Sequence, residues 1–203
     1  MMKLEELERR LKILEDSVRA LQDIEEIKKL QRIYGYYLEH WQWENIIDLF
    51  SDQTESVEVG DLGVFLRKEG VKKCFRRETV PPEFLHVMMQ LSGVVDVDPA
   101  GKTAKGRWYG FGLEALPLEG VVRPMLSSGI YENEYVKEAG KWKFKKLHWF
   151  RIFLAPYEDG WVKTPVLDIR QHRPKADRPP TANKPYPSGY VFPFHYKHPI
   201  TGK

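Results

Sequence analysis

The hydrophobic period of this chain changes once along its length, and that change restricts the fold more than any single motif. Up to about Arg76 the apolar residues recur mainly at helical spacing. Beyond Pro82 they alternate with period two. A 3.6-residue period buries one stripe of a helix, and a period of two buries one face of a strand. Helices first and strands later predict an α+β domain, not alternating α/β. The strand candidates are residues 56–59 and 63–66, joined at Gly60-Asp61, and then 84–96, 103–113, 125–137 and 141–154. The Pro81-Pro82 pair punctuates. The later links carry Asp98-Pro99-Ala100-Gly101, Pro117 with Gly120, and Ala139-Gly140, all turn chemistry. Long strands on short links predict a mainly antiparallel, strongly curved sheet.

Residues 24–52 predict a long amphipathic helix, a short break and a second short helix. Leu30, Ile33, Tyr34, Tyr37, Leu38 and Trp41 share the apolar face. Leu or Ile would normally stand where Tyr34 stands. A buried phenol needs a hydrogen-bond partner or a ligand for its polar tip. Residues 68–76 predict a further short helix. Ahead of these, Leu4, Leu7, Leu11, Leu14, Val18 and Leu21 are spaced 3, 4, 3, 4, 3, the a/d pattern of a coiled-coil seam. Packing on its own domain and pairing between subunits both account for that stripe.

The chain divides into an N-terminal helix over residues 1–23, an α+β domain over 24–155 and an extended arm over 156–203. Nine of its 14 prolines lie between Pro156 and Pro199. Aromatic residues are interleaved with them, among them Trp161, Tyr186, Tyr190, Phe192, Phe194 and Tyr196. Ring burial is the main force open to a segment without helix or sheet. The arm is therefore expected to run over a surface, its own barrel's or a neighbour's. Residues 160–203 hold eight Lys or Arg against two Asp, a net +6, which leaves −3 on the rest of a chain whose total is +3. A weakly acidic body with a basic tail is not the footprint of a nucleic-acid binder. No apolar run approaches a membrane span and the charged start MMKLEELERR is unlike a signal peptide, so the expected compartment is the cytoplasm. The single cysteine, Cys74, excludes an internal disulfide and a cysteine-based metal cluster.

Strand parity places His86, Met88 and Gln90 on one face, and Trp142, Phe144, Lys146, His148, Phe150 and Ile152 on one face of the last strand. Tyr34, His86 and His148 thus point to a common pocket. Imidazole exchanges protons near neutral pH, and a phenol donates to an oxygen as charge builds there. Such a set suits enolisation, elimination of water, or a retro-aldol-like C–C cleavage, with no metal, nucleotide or redox cofactor. GKTAKG at 101–106 does not have P-loop spacing, and HYKH at 195–198 lacks a carboxylate neighbour. Arg107 and Arg151, both on strands, are candidate anchors for an anionic or phenolate end of a ligand. Lys146, Trp108 and Met88 are further candidates for the pocket wall.

The Tyr34 helix, WENIIDLFSD, the strand histidine His86, GKTAKGRWYG and KWKFKKLHWFRIF together resemble the SnoaL-like branch of the nuclear transport factor 2-like superfamily over about residues 20–155. The resemblance implies a conical α+β barrel, a curved sheet wrapped around a long helix with a deep apolar cavity. Similar members include cofactor-free dehydratases and diarylpropane lyases. In the dehydratase branch a helix tyrosine, an acidic residue five positions on and a strand histidine share the cavity. The matching positions here are Tyr34, Glu39 and His86, with Glu where Asp is usual. On an ideal helix Glu39 lies roughly 140° from Tyr34. The resemblance thus implies a cofactor-independent lyase for a hydroxylated, hydrophobic, aromatic small molecule, with His86, Tyr34 and His148 catalytic, and a homo-oligomer, a trimer first. The alternative is a non-catalytic small-molecule binder or scaffold on the same fold. An enzyme brings at least two titratable groups within reach of one ligand atom; a binder keeps polar groups at the mouth.

Overall fold

The computed structural model describes residues 4–76, 80, 82–118 and 120–203; Pro81 of the expected punctuation lies outside them. Helix α1 runs unbroken through Leu4–Glu39, so the seam segment and the Tyr34 helix are one rod of 36 residues, about 54 Å long at 1.5 Å per residue. Its first half is exposed. Its second half buries Ile27, Leu30, Gln31, Tyr34 and Leu38. The rod ends in a Schellman turn: Gln42 N–H donates to the Tyr37 carbonyl (2.9 Å) and Trp41 takes the left-handed position at φ 55°. Glycine usually stands there, because a Cβ costs about 1–2 kcal/mol. Helix α2 follows at Trp43–Asp48.

Strands β1 (Ser56–Val59) and β2 (Gly63–Leu66) form a hairpin, and α3 (Arg67–Phe75) packs beside it. Four long strands come next: β3 (Leu85–Val97), β4 (Thr103–Leu118), β5 (Val121–Glu138) and β6 (Lys141–Pro156). The expected strands 103–113 and 125–137 are longer in the structure, and Leu118 stands opposite Val121 where they meet. The sheet order is β2-β1-β6-β5-β4-β3, antiparallel except where β1 runs parallel to β6. The sheet curves around the buried half of α1 and stays open between its β2 and β3 edges, a cone-like α+β fold as expected. The main core fills the space between helix and sheet with Ile27, Phe50, Phe65, Tyr135, Phe144 and Leu147. A second cluster of Leu116, Met125, Leu154 and Ile169 lies apart from it.

Two bulges in the β5–β6 ladder decide which face each side chain takes. Glu134 pairs with Lys146 and Tyr135 with Phe144, leaving Lys145 as an extra residue; Gly129 pairs with Arg151 and Ser128 with Phe153, leaving Ile152 as another. An extra residue reverses the alternation beyond it. Trp142 and Phe144 therefore face the core together with Leu147 and Trp149, while Lys146, His148 and Phe150 turn to the outer face. The single-face row read from parity across residues 142–152 is corrected here.

The arm packs on the outer face of this same chain's sheet. Phe192 meets the His148 ring edge-on at 4.8 Å and Phe150 at 5.3 Å. Thr181 donates from its N–H and its hydroxyl to the buried Glu58 carboxylate. Arg178 bridges to Val64 on the β2 edge, and Ile169 enters the second core cluster. Among the described residues no helix is long and apolar enough to cross a membrane.

Candidate active site

The chamber lies between α1, α2, α3 and the concave face of the sheet. Its empty space, open mouth included, is about 740 Å³. Leu38, Trp43, Val59, Leu62, Phe75, Met88 and Trp149 supply much of its apolar wall. The polar groups it gathers are Tyr34, His86, Glu114, Ser127, Tyr131, Arg151 and Arg173. Room for them comes partly from glycine. A Cβ on Gly110 would sit 2.4 Å from the Trp149 ring, and one on Gly129 would sit 2.7 Å from it. With hydrogen at both positions the indole lies flat on the sheet and the chamber stays open.

His86 and Glu114 stand directly opposite each other in the β3–β4 register. Cross-strand pairs hold their Cβ atoms about 5 Å apart, within reach of a His–carboxylate interaction. Glu114 is buried and accepts a hydrogen bond from the Ser127 hydroxyl at 2.7 Å. One face of His86 is covered by an aromatic stack: Trp41 lies 5.8 Å away at 23°, and Trp41 in turn stacks on Phe84 at 4.5 Å and 14°. The left-handed backbone at Trp41 aims the indole there.

Tyr34 meets Phe75, Tyr131 and Phe144 edge-on at 6.0, 6.0 and 5.5 Å. Burial pushes its phenol well above the ordinary tyrosine range, and the neighbouring Tyr131 adds to the rise. Burial likewise raises Tyr131, against hydrogen bonds from Gln90 and Tyr34 that hold it down. Both phenols stay protonated at neutral pH and act as hydrogen-bond donors. Behind them runs a polar spine. Trp108 Nε1 donates to the Tyr135 hydroxyl (3.0 Å), Tyr135 and Asn133 both donate to Gln31 Oε1 (2.8 and 2.9 Å), and Gln31 Nε2 donates to Gln90 Oε1 (2.6 Å). The spine satisfies buried polar atoms that would otherwise cost stability.

Arg151 forms a buried ion pair with Asp61. Its Nε has no hydrogen-bond partner among the described residues. Arg173 comes from the segment after the short 3₁₀ turn Arg170–His172, so the start of the arm contributes to the wall.

Of the residues singled out in the sequence, Tyr34, His86, Met88 and Arg151 meet in this chamber. The others do not. His148 is on the outer face beside Glu58 (3.4 Å), because the bulge at Lys145 turns it away, and Lys146 follows the same parity. Arg107 lies outside too: it pairs with Glu132 (2.8 Å), donates to the Phe192 and Pro193 carbonyls, and covers the Phe194 ring at 4.2 Å. Trp108 is inside the core but spent on the Tyr135 bond. Glu39 lines a separate shallow groove with Arg32, Gly35 and Tyr36 against β3, because α1 stays helical through Glu39 and keeps the angle from Tyr34. Sequence reasoning missed Glu114, Ser127, Tyr131 and Asp61 in any chemical role. Glu114 and Ser127 alternate with apolar residues on long strands, a polar-inside signal that parity could have raised once β3 and β4 were set in register.

Residues 19–148 match the family model described as the SnoaL-like domain. That span is most of the chain, and the protein belongs to the SnoaL-like family of the nuclear transport factor 2-like superfamily. Solved structures agree on the fold. A candidate scytalone dehydratase from Novosphingobium aromaticivorans is 20% identical with a TM-score of 0.60, over 70% of this chain and 91% of that one. A type 2 hexachlorocyclohexane dehydrochlorinase is 20% identical with a TM-score of 0.56, over 70% and 90%. A protein of unknown function from Mycobacterium tuberculosis is 18% identical with a TM-score of 0.52, over 66% and 75%. At such identities the likeness is one of fold, and the chemistry has to be read from the chamber.

Proposed function

We propose that this protein is a cofactor-independent lyase that eliminates water or an aldehyde from a hydroxylated, hydrophobic, aromatic small molecule. The carrying observation is the register pair His86–Glu114 in an apolar chamber shared with two protonated phenols. His86 is the general base. It takes a proton from the carbon next to the group being activated, or from a hydroxyl whose C–C bond then breaks with release of an aldehyde. Glu114 holds the imidazole in one orientation and stabilises the imidazolium that forms. Tyr131 donates to the oxygen on which negative charge builds, and Tyr34, whose one hydroxyl proton goes to Tyr131, strengthens that donor. His86 then returns the proton to the departing hydroxyl or to the product carbon. Arg151, held by Asp61, keeps its Nε–H for a ligand oxygen. Trp41, Phe84 and Trp149 offer flat faces to an aromatic ring. The dehydratase and dehydrochlorinase named among the structural relatives support an elimination on this fold.

The reading favours an enzyme over a passive binder because Tyr34, Tyr131, Glu114 and Arg151 are buried in the chamber and the half-buried His86 stands opposite Glu114. Its test is a panel of aromatic β-hydroxy carbonyl compounds and diaryl diols, followed by alkene absorbance and by aldehyde release. His86→Ala is expected to lower kcat/KM by about 10²–10⁴-fold, and Tyr34→Phe by a smaller factor. Full activity in both variants removes these roles. Tight binding of the panel without turnover in the wild type returns the protein to the binder class.

A further inference from the structure

Among the described residues nothing covers the leucine seam of α1. Leu4, Leu7, Leu11, Leu14, Val18 and Leu21 are between 46% and 71% exposed. At 100° per residue they occupy an arc of roughly 100°, and Asp23, Ile27, Leu30, Gln31, Tyr34 and Leu38, which pack inward, occupy another centred about 180° away. The helix thus offers its leucines on the side opposite to its own domain, and packing on that domain, one of the two accounts the sequence left open, is ruled out.

We infer that this seam is an interface with a second copy of the same chain, parallel and in register. Charge decides the occupant and its direction. With Leu4 at position a, the e positions hold Glu8 and Glu15 and the g position before the middle heptad holds Arg10. In a parallel pair each g side chain meets the e side chain five residues further on in the other strand, so Arg10 of each copy meets Glu15 of the other. An antiparallel pair sets e against e and brings Glu8 near Glu15, like charge on like. The folded domains fit the parallel arrangement, because each hangs from the outer side of its own helix. The seam ends where it should: the next a and d positions are Glu25 and Lys28. Fewer than three heptads would be marginal in an isolated peptide, but here residues 23–39 are already helical against the sheet, which removes the nucleation cost. A third strand obeys the same charge rule, and the mass of the assembly counts the copies.

The test uses the full chain. By light scattering after gel filtration, the wild type runs as an oligomer and the Leu11→Glu, Leu14→Glu double variant as a monomer with an unchanged near-ultraviolet spectrum. Arg10→Glu or Glu15→Arg alone turns attraction into repulsion and weakens association about tenfold; mixing the two variants restores it. Leu7→Cys forms an intermolecular disulfide under mild oxidation, the native Cys74 being buried. A monomeric wild type at tens of micromolar, an assembly indifferent to the glutamates, or a Leu7→Cys chain that cross-links only to a Val18→Cys chain overturns the proposal.

Discussion

At the scale of single residues, the site is governed by what lies beside each side chain. His86 was legible in the sequence because a histidine in a mixed strand row is unusual; its partner Glu114 was not, because the pairing depends on how β3 and β4 slide against each other. Glu114→Gln keeps the shape and removes the charge that the proposed mechanism uses to steady the imidazolium. It is expected to lower kcat by about 10²-fold or more with little change in KM, and the comparison of the two constants checks it. Gln31 tests the spine. Replacing it with Leu strands the Tyr135, Asn133 and Gln90 groups that now bond to it, at about 1–3 kcal/mol. Urea titration is expected to show a lower midpoint with an unchanged slope.

At the scale of elements, the arm is held to the outer face by rings on β6, Phe192 against His148 and Phe150, and by Thr181 on the buried Glu58 carboxylate of β1. Burial lowers the His148 imidazole from its usual value, against an upward pull from Glu58; Lys146 adds to the lowering and Glu132 opposes it. Its Nε2 is buried without a hydrogen bond among the described residues, under the Phe192 ring. A folded-state pKa below the unfolded value of about 6.5 means that the unfolded chain takes up the proton first as pH falls. Stability from this group is complete above about pH 6.5 and is lost as pH drops through the folded value. Denaturation midpoints measured from pH 8 to pH 5 should fall more steeply in the wild type than in His148→Leu. Removing residues 181–203 uncovers Glu58, His148 and Phe150. The truncated chain is expected to melt at lower temperature, and the His148 ring proton resonances to titrate closer to the ordinary value. An unshifted titration would mean that the arm does not bury this histidine.

At the scale of the molecule, the proposed catalytic chamber and the proposed assembly seam occupy opposite ends of one helix. Tyr34 reaches the chamber from the C-terminal half of α1, and the seam lies more than three turns away, beyond Asp23. The Leu11→Glu, Leu14→Glu variant is therefore expected to keep the kcat/KM of the wild type once it is monomeric, measured on whichever substrate the panel yields.

The local sequence by itself determined the α+β class, the helix bearing Tyr34 and the positions of all six strands, through helix stripes, strand alternation and turn residues, and its proline and aromatic content marked the arm, because these are properties of adjacent residues. It also set out the seam, since heptad spacing and the e and g charges are written along one helix. Only the tertiary structure decided which faces meet. One extra residue at Lys145 sends His148 outward and Trp149 inward, and no count along β6 alone can show it, because a bulge exists only relative to the strand it is paired with. The chamber is likewise a joint property: Glu114 becomes a partner of His86, and Gly110 and Gly129 become the floor for an indole, when curvature brings four strands around one helix.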